Sequence, residues 1–205
     1  MRNTVKVLAV ALPLVTFCGL PFAQAAFFGY PRALKSQVEH IKFHEPSLAP
    51  IAFFQFCSRY PGDCKVRRMA FRAKPVGLTE ARWSELANVN REVNRSIRPE
   101  RNTGGLLNEK WVVSPKSGEC HDYAVTKRHE LLAQGWPSRS LLLAEVVLAS
   151  GEHHLVLVVR THEGDFVLDN LNANVRNWSQ TRYHWVRIQS PKDPKFWSTV
   201  AALAA

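Results

Sequence analysis

Between Ser140 and Gln189 the chain strings together four short apolar segments, SLLLAEVVLA (140–149), HHLVLVVRT (153–161), DFVLDNL (165–171) and YHWVRIQ (183–189), with turn-forming residues between them. Runs of this length, rich in Val, Leu and aromatic residues, read as consecutive β-strands. Two helical patterns precede them. Leu86, Val89, Val93 and Ile97 recur at helical spacing in a segment that begins at Thr79 and is closed by Pro99. A second helix is expected to start near Glu119 or Cys120, to bury Ala124, Val125, Leu131 and Leu132, and to end at Gly135, with Pro137 barring continuation. Helices followed by a run of strands point to an α+β domain with a largely antiparallel sheet. Residues 27 to about 77 mix aromatic, proline and basic residues, which suggests an irregular or short-helical part wrapped on the core. No internal repeat or low-complexity segment is present.

The first 25 residues have the layout of a secretory signal peptide: a basic start with Arg2 and Lys6, an apolar run from Val7 to Phe22, and Ala23-Gln24-Ala25 as the cleavage site. Pro13, Gly19 and Pro21 interrupt the run, against a membrane anchor of about 20 apolar residues. Bulky Phe17 before Cys18 argues against a lipoprotein site. The expected organisation is therefore a signal peptide over 1–25 and one domain over 26–205, periplasmic or secreted, with no stable membrane span after cleavage. The formal charge of +10 would fall to +8 on losing Arg2 and Lys6. The basic residues are scattered, as on a solvated surface, which disfavours nucleic acid as a partner.

Export leaves three cysteines, an odd count in an oxidising compartment. Cys57 and Cys64 flank the turn-forming stretch SRYPG, so a local disulfide is expected, and no second ligand pair favours zinc instead. Cys120 is left as a free thiol. At a helix N-terminus the unpaired backbone N–H groups and the helix dipole favour its thiolate and offer donors for an oxyanion. Glu119 opposes that shift, so an imidazole is required nearby.

His121 adjoins the cysteine, but a neighbour one position along a helix is expected to point elsewhere. His153 and His154 begin an otherwise apolar strand, and Asp169 lies in FVLDN, where an unpaired carboxylate would be costly. A tight turn at Glu163-Gly164 pairs Thr161 with Phe166 and leaves Asp169 opposite Val158, about 13 Å along the strand from His154. A register shifted by four sets His154 directly opposite Asp169. Both keep the two residues on one sheet face. Cys120, His154 and Asp169 would then form a nucleophile, a base and an orienting carboxylate.

The stretches SGECHDYAVTKRHELLAQGWP, HHLVLVVRTHEGDFVLDNL and a later W…Y segment resemble the bacterial transglutaminase-like cysteine proteinases, whose pattern is roughly G-[DE]-C-x-D-Y-A, then H-x-V-L, then V-L-D-N. The resemblance runs from about Phe56 to Trp197. It implies a papain-like or transglutaminase-like fold with the catalytic Cys120 at a helix N-terminus, His154 rather than His153 as general base and acid, and Asp169 orienting the imidazole. One branch of that family is a periplasmic adhesin-releasing protease regulated by calcium, with acids on both sides of its cysteine. Here Glu119 matches the first acid and stands as a calcium candidate, whereas His121 replaces the second, and imidazole is a poor calcium ligand. No other cofactor is implied. Asp122 and Tyr123 belong to the same block, with structural readings as a dipole-complementing acid and a packed, hydrogen-bonded ring. Trp111, Asn94 and Asn170 are candidates for lining the cleft or for a second oxyanion donor, each equally explained by packing.

The expected function is an exported cysteine hydrolase that cleaves a peptide or amide bond of a cell-envelope protein through a thioester on Cys120. Two rivals use the same residues differently. An amine in place of water would make the enzyme a transglutaminase or acyltransferase, and a chain that kept only the fold would be a non-catalytic envelope binding module.

Overall fold

A computed structural model describes residues 40–65, 76–100, 105 and 109–201; the expected signal peptide lies outside them. The elements run β1 (Phe43–Ser47), α1 (Ile51–Arg59), α2 (Glu80–Ser96), β2 (Arg98–Pro99), β3 (Ser117–Gly118), α3 (Cys120–Ala133), β4 (Leu141–Val147), β5 (His153–Thr161), β6 (Gly164–Asp169), β7 (Asn172–Asn177), β8 (His184–Gln189) and β9 (Trp197–Val200). The α+β class is observed. Seven strands form one sheet in the order β1-β9-β8-β4-β5-β6-β7, every neighbouring pair antiparallel.

Alternation along the strands divides the core in two. Leu141, Leu143, Leu155, Leu157, Val159, Phe166 and Leu168 pack with the helices, including Phe53 and Phe56 of α1, Leu86 and Val93 of α2, and Val125 and Leu131 of α3. Leu142, Ala144, Val146, Val156, Val158 and Val167 form a second cluster with Trp178, Trp185 and Ile188. Burial on both faces explains why β4 and β5 read as continuous apolar runs rather than alternating ones.

Helix α2 opens on Thr79, whose hydroxyl accepts from Arg82 N at 3.3 Å. Helix α3 ends as expected, with Gly135 at φ +88° and the Trp136 N–H returning to Leu131 O. Its buried surface is wider than the expected apolar stripe, since Thr126, Lys127 and Arg128 are buried as well. Arg128 reaches the carbonyls of Leu141 at 3.0 Å and Asp63 at 2.6 Å. Those carbonyls are what let a guanidinium sit in the core.

The β5–β6 hairpin takes neither register expected from the sequence. Thr161 pairs with Gly164 and Val158 with Val167, around a two-residue turn of His162 and Glu163. Gly164, at φ +127°, starts β6 instead of closing the turn, and the Thr161 hydroxyl donates to its carbonyl at 2.8 Å. Extending this register sets Asp169 opposite Val156, one diagonal step from His154. Side chains bridge such diagonals of about 7–8 Å.

The Cys57–Cys64 disulfide is present and closes the turn after α1. That turn is tied to α3, because Asp63 also meets His129 Nδ1 at 3.0 Å. Cross-linking a loop this short constrains the unfolded chain by about 2–3 kcal/mol. The double substitution Cys57→Ser, Cys64→Ser is expected to lower unfolding stability by that amount, read from the urea midpoint under non-reducing conditions; an unchanged midpoint would show that the bridge adds nothing to the fold.

Candidate active site

Cys120 is the first residue of α3, and backbone and side-chain ties on either side of it fix where that residue stands. β3 pairs in parallel with β2, Pro99 against Gly118, and Glu100 N donates to Gly118 O at 3.0 Å. The Asp122 carboxylate accepts Glu119 N at 2.9 Å and Val112 N at 2.8 Å, so it caps the helix and holds the preceding loop together. Glycine is required at 118 because a Cβ there would lie 2.9 Å from the Cβ and Cγ of Asp122. Tyr123 packs in the core and donates its hydroxyl to Ile97 O at 2.7 Å. Both residues of the block after the cysteine thus have structural roles.

The thiol is half-buried and free. His154 lies close enough to favour the thiolate, and the same imidazole bonds Asp169 Oδ1 through Nε2 at 2.8 Å, which leaves Nδ1 for the sulfur. Asp169 is almost fully buried, with Oδ1 also accepting Leu171 N at 3.0 Å and Oδ2 accepting the Tyr183 hydroxyl. The structure thus brings Cys120, His154 and Asp169 together. His153 is turned outward onto Glu145 at 2.6 Å.

His121 corrects an expectation. It does not point away from the cysteine: its imidazole is close enough to act on the thiol and favour the thiolate. The ring is buried and stacks on Trp111 at 6.0 Å between centroids and 15° between planes. Three carboxylates converge on it, Glu109 at 3.3 Å, Asp122 at 3.5 Å and Glu119 at 3.8 Å. The spacing argument failed because it describes side chains along a regular helix, whereas Cys120 and His121 lie in the first turn and the thiol is short.

Burial pushes the Cys120 thiol up, and hydrogen bonds from His121 and His154, the His154 charge and the Leu155 N–H outweigh it, bringing the pKa down to about 7. For His154, burial pushes down while Asp169 and Cys120 push up, leaving it at about 9. Burial also pushes Asp169 up, but His154 and Tyr183 hold it below the usual carboxylate range. A thiol at about 7 beside an imidazole at about 9 exists as a thiolate–imidazolium pair between those values. Lys127, fully buried on α3, is pushed down to about 7 by burial while the charge of Asp169 opposes the drop.

Two of the other candidates contact members of the site. Trp111 donates Nε1 to Glu109 at 2.6 Å and braces His121. Asn94 Nδ2 donates to Asp169 O at 2.9 Å, fixing the backbone behind the carboxylate. Asn170 Oδ1 is buried without a hydrogen-bond partner among the described residues. Sequence reasoning missed Tyr183 and Glu109 as members of the site. Tyr183 sits just before β8, and nothing in its spacing from Asp169 signals contact; the strand order creates it. Glu119 has a carboxylate near His121, and the nearby acids face that imidazole rather than an open oxygen cage. Among the described residues no group of three or more His, Cys, Asp or Glu side chains is disposed to hold a metal ion.

Alkylation of Cys120 by iodoacetamide is expected to rise with a midpoint near pH 7, as the thiolate forms. With His154→Ala, burial prevails and the midpoint moves above about 8.5, the ordinary thiol value; His121→Ala moves it in the same direction. A midpoint indifferent to both substitutions would mean that neither imidazole holds the thiolate.

A family model described as "Bacterial transglutaminase-like cysteine proteinase BTLCP" matches residues 43–204, most of the chain. No curated protein matches significantly. Solved structures of Legionella pneumophila LapG are similar: one is 24% identical, with a TM-score of 0.47 over 56% of this chain and 67% of that one. The calcium-bound form of LapG is 17% identical, with a TM-score of 0.49 over 77% of this chain and 86% of that one.

Proposed function

The chain belongs to the bacterial transglutaminase-like cysteine proteinases, and from that membership we propose that Cys120, His154 and Asp169 are its nucleophile, general base and acid, and orienting carboxylate. A protease acts on a protein or peptide, and the proposed reaction is hydrolysis of a peptide or amide bond through a thioester. The observation that carries this reading is the buried relay from thiol to imidazole to carboxylate, with His154 Nε2 at 2.8 Å from Asp169.

His154 takes the thiol proton, and the thiolate adds to the carbonyl carbon. The oxyanion so formed is held by the Cys120 backbone N–H at the helix start, one of the N–H groups that have no carbonyl four residues back. His154 then passes the proton to the departing amine, leaving an acyl-thioester on Cys120. Water, deprotonated by His154, releases the acid and restores the thiol. Asp169 and Tyr183 hold the imidazole in the tautomer and orientation these transfers need.

Export of the chain is part of the proposal. Its support is the disulfide, which suggests an oxidising compartment, and the layout of residues 1–25. Among the described residues no helix is long and apolar enough to cross a membrane.

The test is cleavage of envelope proteins by the mature chain. Cys120→Ser or His154→Ala is expected to lower kcat by about 10³-fold or more, and Asp169→Asn by a comparable factor. Activity should be bell-shaped in pH, lost below about 7 as the thiolate is protonated and above about 9 as the imidazolium loses the proton owed to the leaving group. Full activity of Cys120→Ser would overturn the assignment, and incorporation of a labelled amine into product would convert the hydrolase into an acyltransferase.

No calcium is assigned a step. His121 lies among the carboxylates that a cation at this helix end would require, with its ring nitrogens 3.3 to 3.8 Å from them. Chelation with EGTA is accordingly expected to leave both Cys120 alkylation and cleavage unchanged; loss of either on chelation, restored by calcium, would show that the carboxylates also serve an ion.

A further inference from the structure

Asp169 also lines a cavity of about 450 Å³ whose other walls are residues of β6, of β7 and of the segment leading into β8. Its walls include Asn172, Asn174, Arg176, Arg182 and Tyr183. Two arginines therefore line one pocket, and neither has a carboxylate at ion-pair distance among the described residues. The acid on the wall, Asp169, does not serve them. Its Oδ1 is taken by His154 and Leu171 N, and its Oδ2 by the Tyr183 hydroxyl. Arg176 is close enough for its charge to act on that hydroxyl. Two exposed arginines with unmet charge, set among amide side chains, make a recognition surface for a carboxylate.

We propose that this pocket receives an acidic side chain of the polypeptide substrate, Asp or Glu, on the C-terminal side of the bond that is cleaved. The side follows from the chemistry. This inference rests on the hydrolase reading above, in which His154 delivers a proton to the departing amine, so the leaving segment lies on the imidazole side of the thiol. His154 neighbours Cys120 on one hand and bonds Asp169 on the other, and Asp169 in turn lines the pocket. An extended chain advances roughly 3.3 Å per residue, which sets the acidic residue within a few positions after the cleaved bond. The same placement puts substrate binding next to the Tyr183–Asp169 contact, so a filled pocket also shields the carboxylate that orients the base.

Two arms test this. In the first, the wild-type protein digests a library of proteome-derived peptides, and residue frequencies are counted at each position after the cleaved bonds. Asp and Glu are expected to be enriched at one position, and the double substitution Arg176→Gln, Arg182→Gln to abolish that enrichment. The charge reversal Arg176→Glu, Arg182→Glu should turn the preference toward Lys, an outcome that a merely structural role would not produce. Cleavage by the wild type with no acidic preference overturns the pocket while leaving the hydrolase intact.

The second arm needs no turnover. The Cys120→Ala protein is titrated with acetyl-Ala-Ala-Glu-Ala-amide and with its Gln twin, and the amide and guanidinium NMR signals of Arg176 and Arg182 are followed. The Glu peptide is expected to bind more tightly on the order of tenfold, as two exposed ion pairs allow, and the double Gln variant to erase the difference. Equal binding of the twins overturns the proposal. Free glutarate binding as tightly as the Glu peptide overturns it too, and makes the pocket a general anion site. If the twins differ while the wild type cleaves no peptide, the pocket's affinity for an acidic side chain stands, and its placement after a cleaved bond falls with the hydrolase reading.

Discussion

The position of the thiol depends on one carboxylate. Asp122 accepts the backbone N–H groups of Glu119 and Val112, and its side chain occupies the space where a Cβ on residue 118 would stand. The helix start, the loop carrying Trp111 and the short β2–β3 pair are thereby locked to one another. That lock matters to the proposed mechanism, in which a nucleophile must be held in close register with its base to be of use. The loop is pinned again further on, with Ser114 N on the Thr126 hydroxyl at 2.8 Å and Val113 N on the Tyr60 hydroxyl at 3.2 Å. Tyr60 lies within the segment closed by the Cys57–Cys64 bridge, so the cross-link and the loop at the candidate site are parts of one brace.

Electrostatics at the site are a contest between burial and hydrogen bonding. Burial alone would keep Cys120 a neutral thiol, His154 neutral and Asp169 protonated. Each is reversed by its neighbours: two imidazoles for the thiol, Asp169 and the thiol for His154, and His154 with Tyr183 for Asp169. Because the charges stabilise one another, the loss of any one leaves the rest buried and poorly compensated. The buried Lys127 joins the same contest, with burial lowering its pKa and the charge of Asp169 opposing the drop. The arrangement is a network, and its members are not independent contributors.

Much of the scaffold was legible in one dimension. Helices α2 and α3 announce themselves by period and by their ends, Thr79 and Pro99 for one, Gly135 and Pro137 for the other. Strand β5 has the limits its apolar run suggests. β1, β7 and β9 were not legible: FHEPS and NANVRN are largely polar and exposed, since β1 and β7 are edge strands with little apolar face to show, and WSTV is too short to carry a pattern. The burial of Lys127 and Arg128 was equally hidden, because charge normally marks a solvated face and the carbonyls that accept Arg128 lie at residues 63 and 141.

At the site the division is sharper. The sequence alone determined that Cys57 and Cys64 were close enough to pair, that Cys120 would open a helix, and that His154 and Asp169 would share a sheet face. These are properties of short spacings and of parity, which survive any shift of register by an even number of residues. The actual register, the second imidazole on the thiol, the Tyr183 hydroxyl on Asp169 and the convergence of Glu109 on His121 were decided by tertiary structure. Each depends on where a turn closes or on which strands become neighbours, and those choices are made by packing between segments far apart in the chain, where local propensity has no reach.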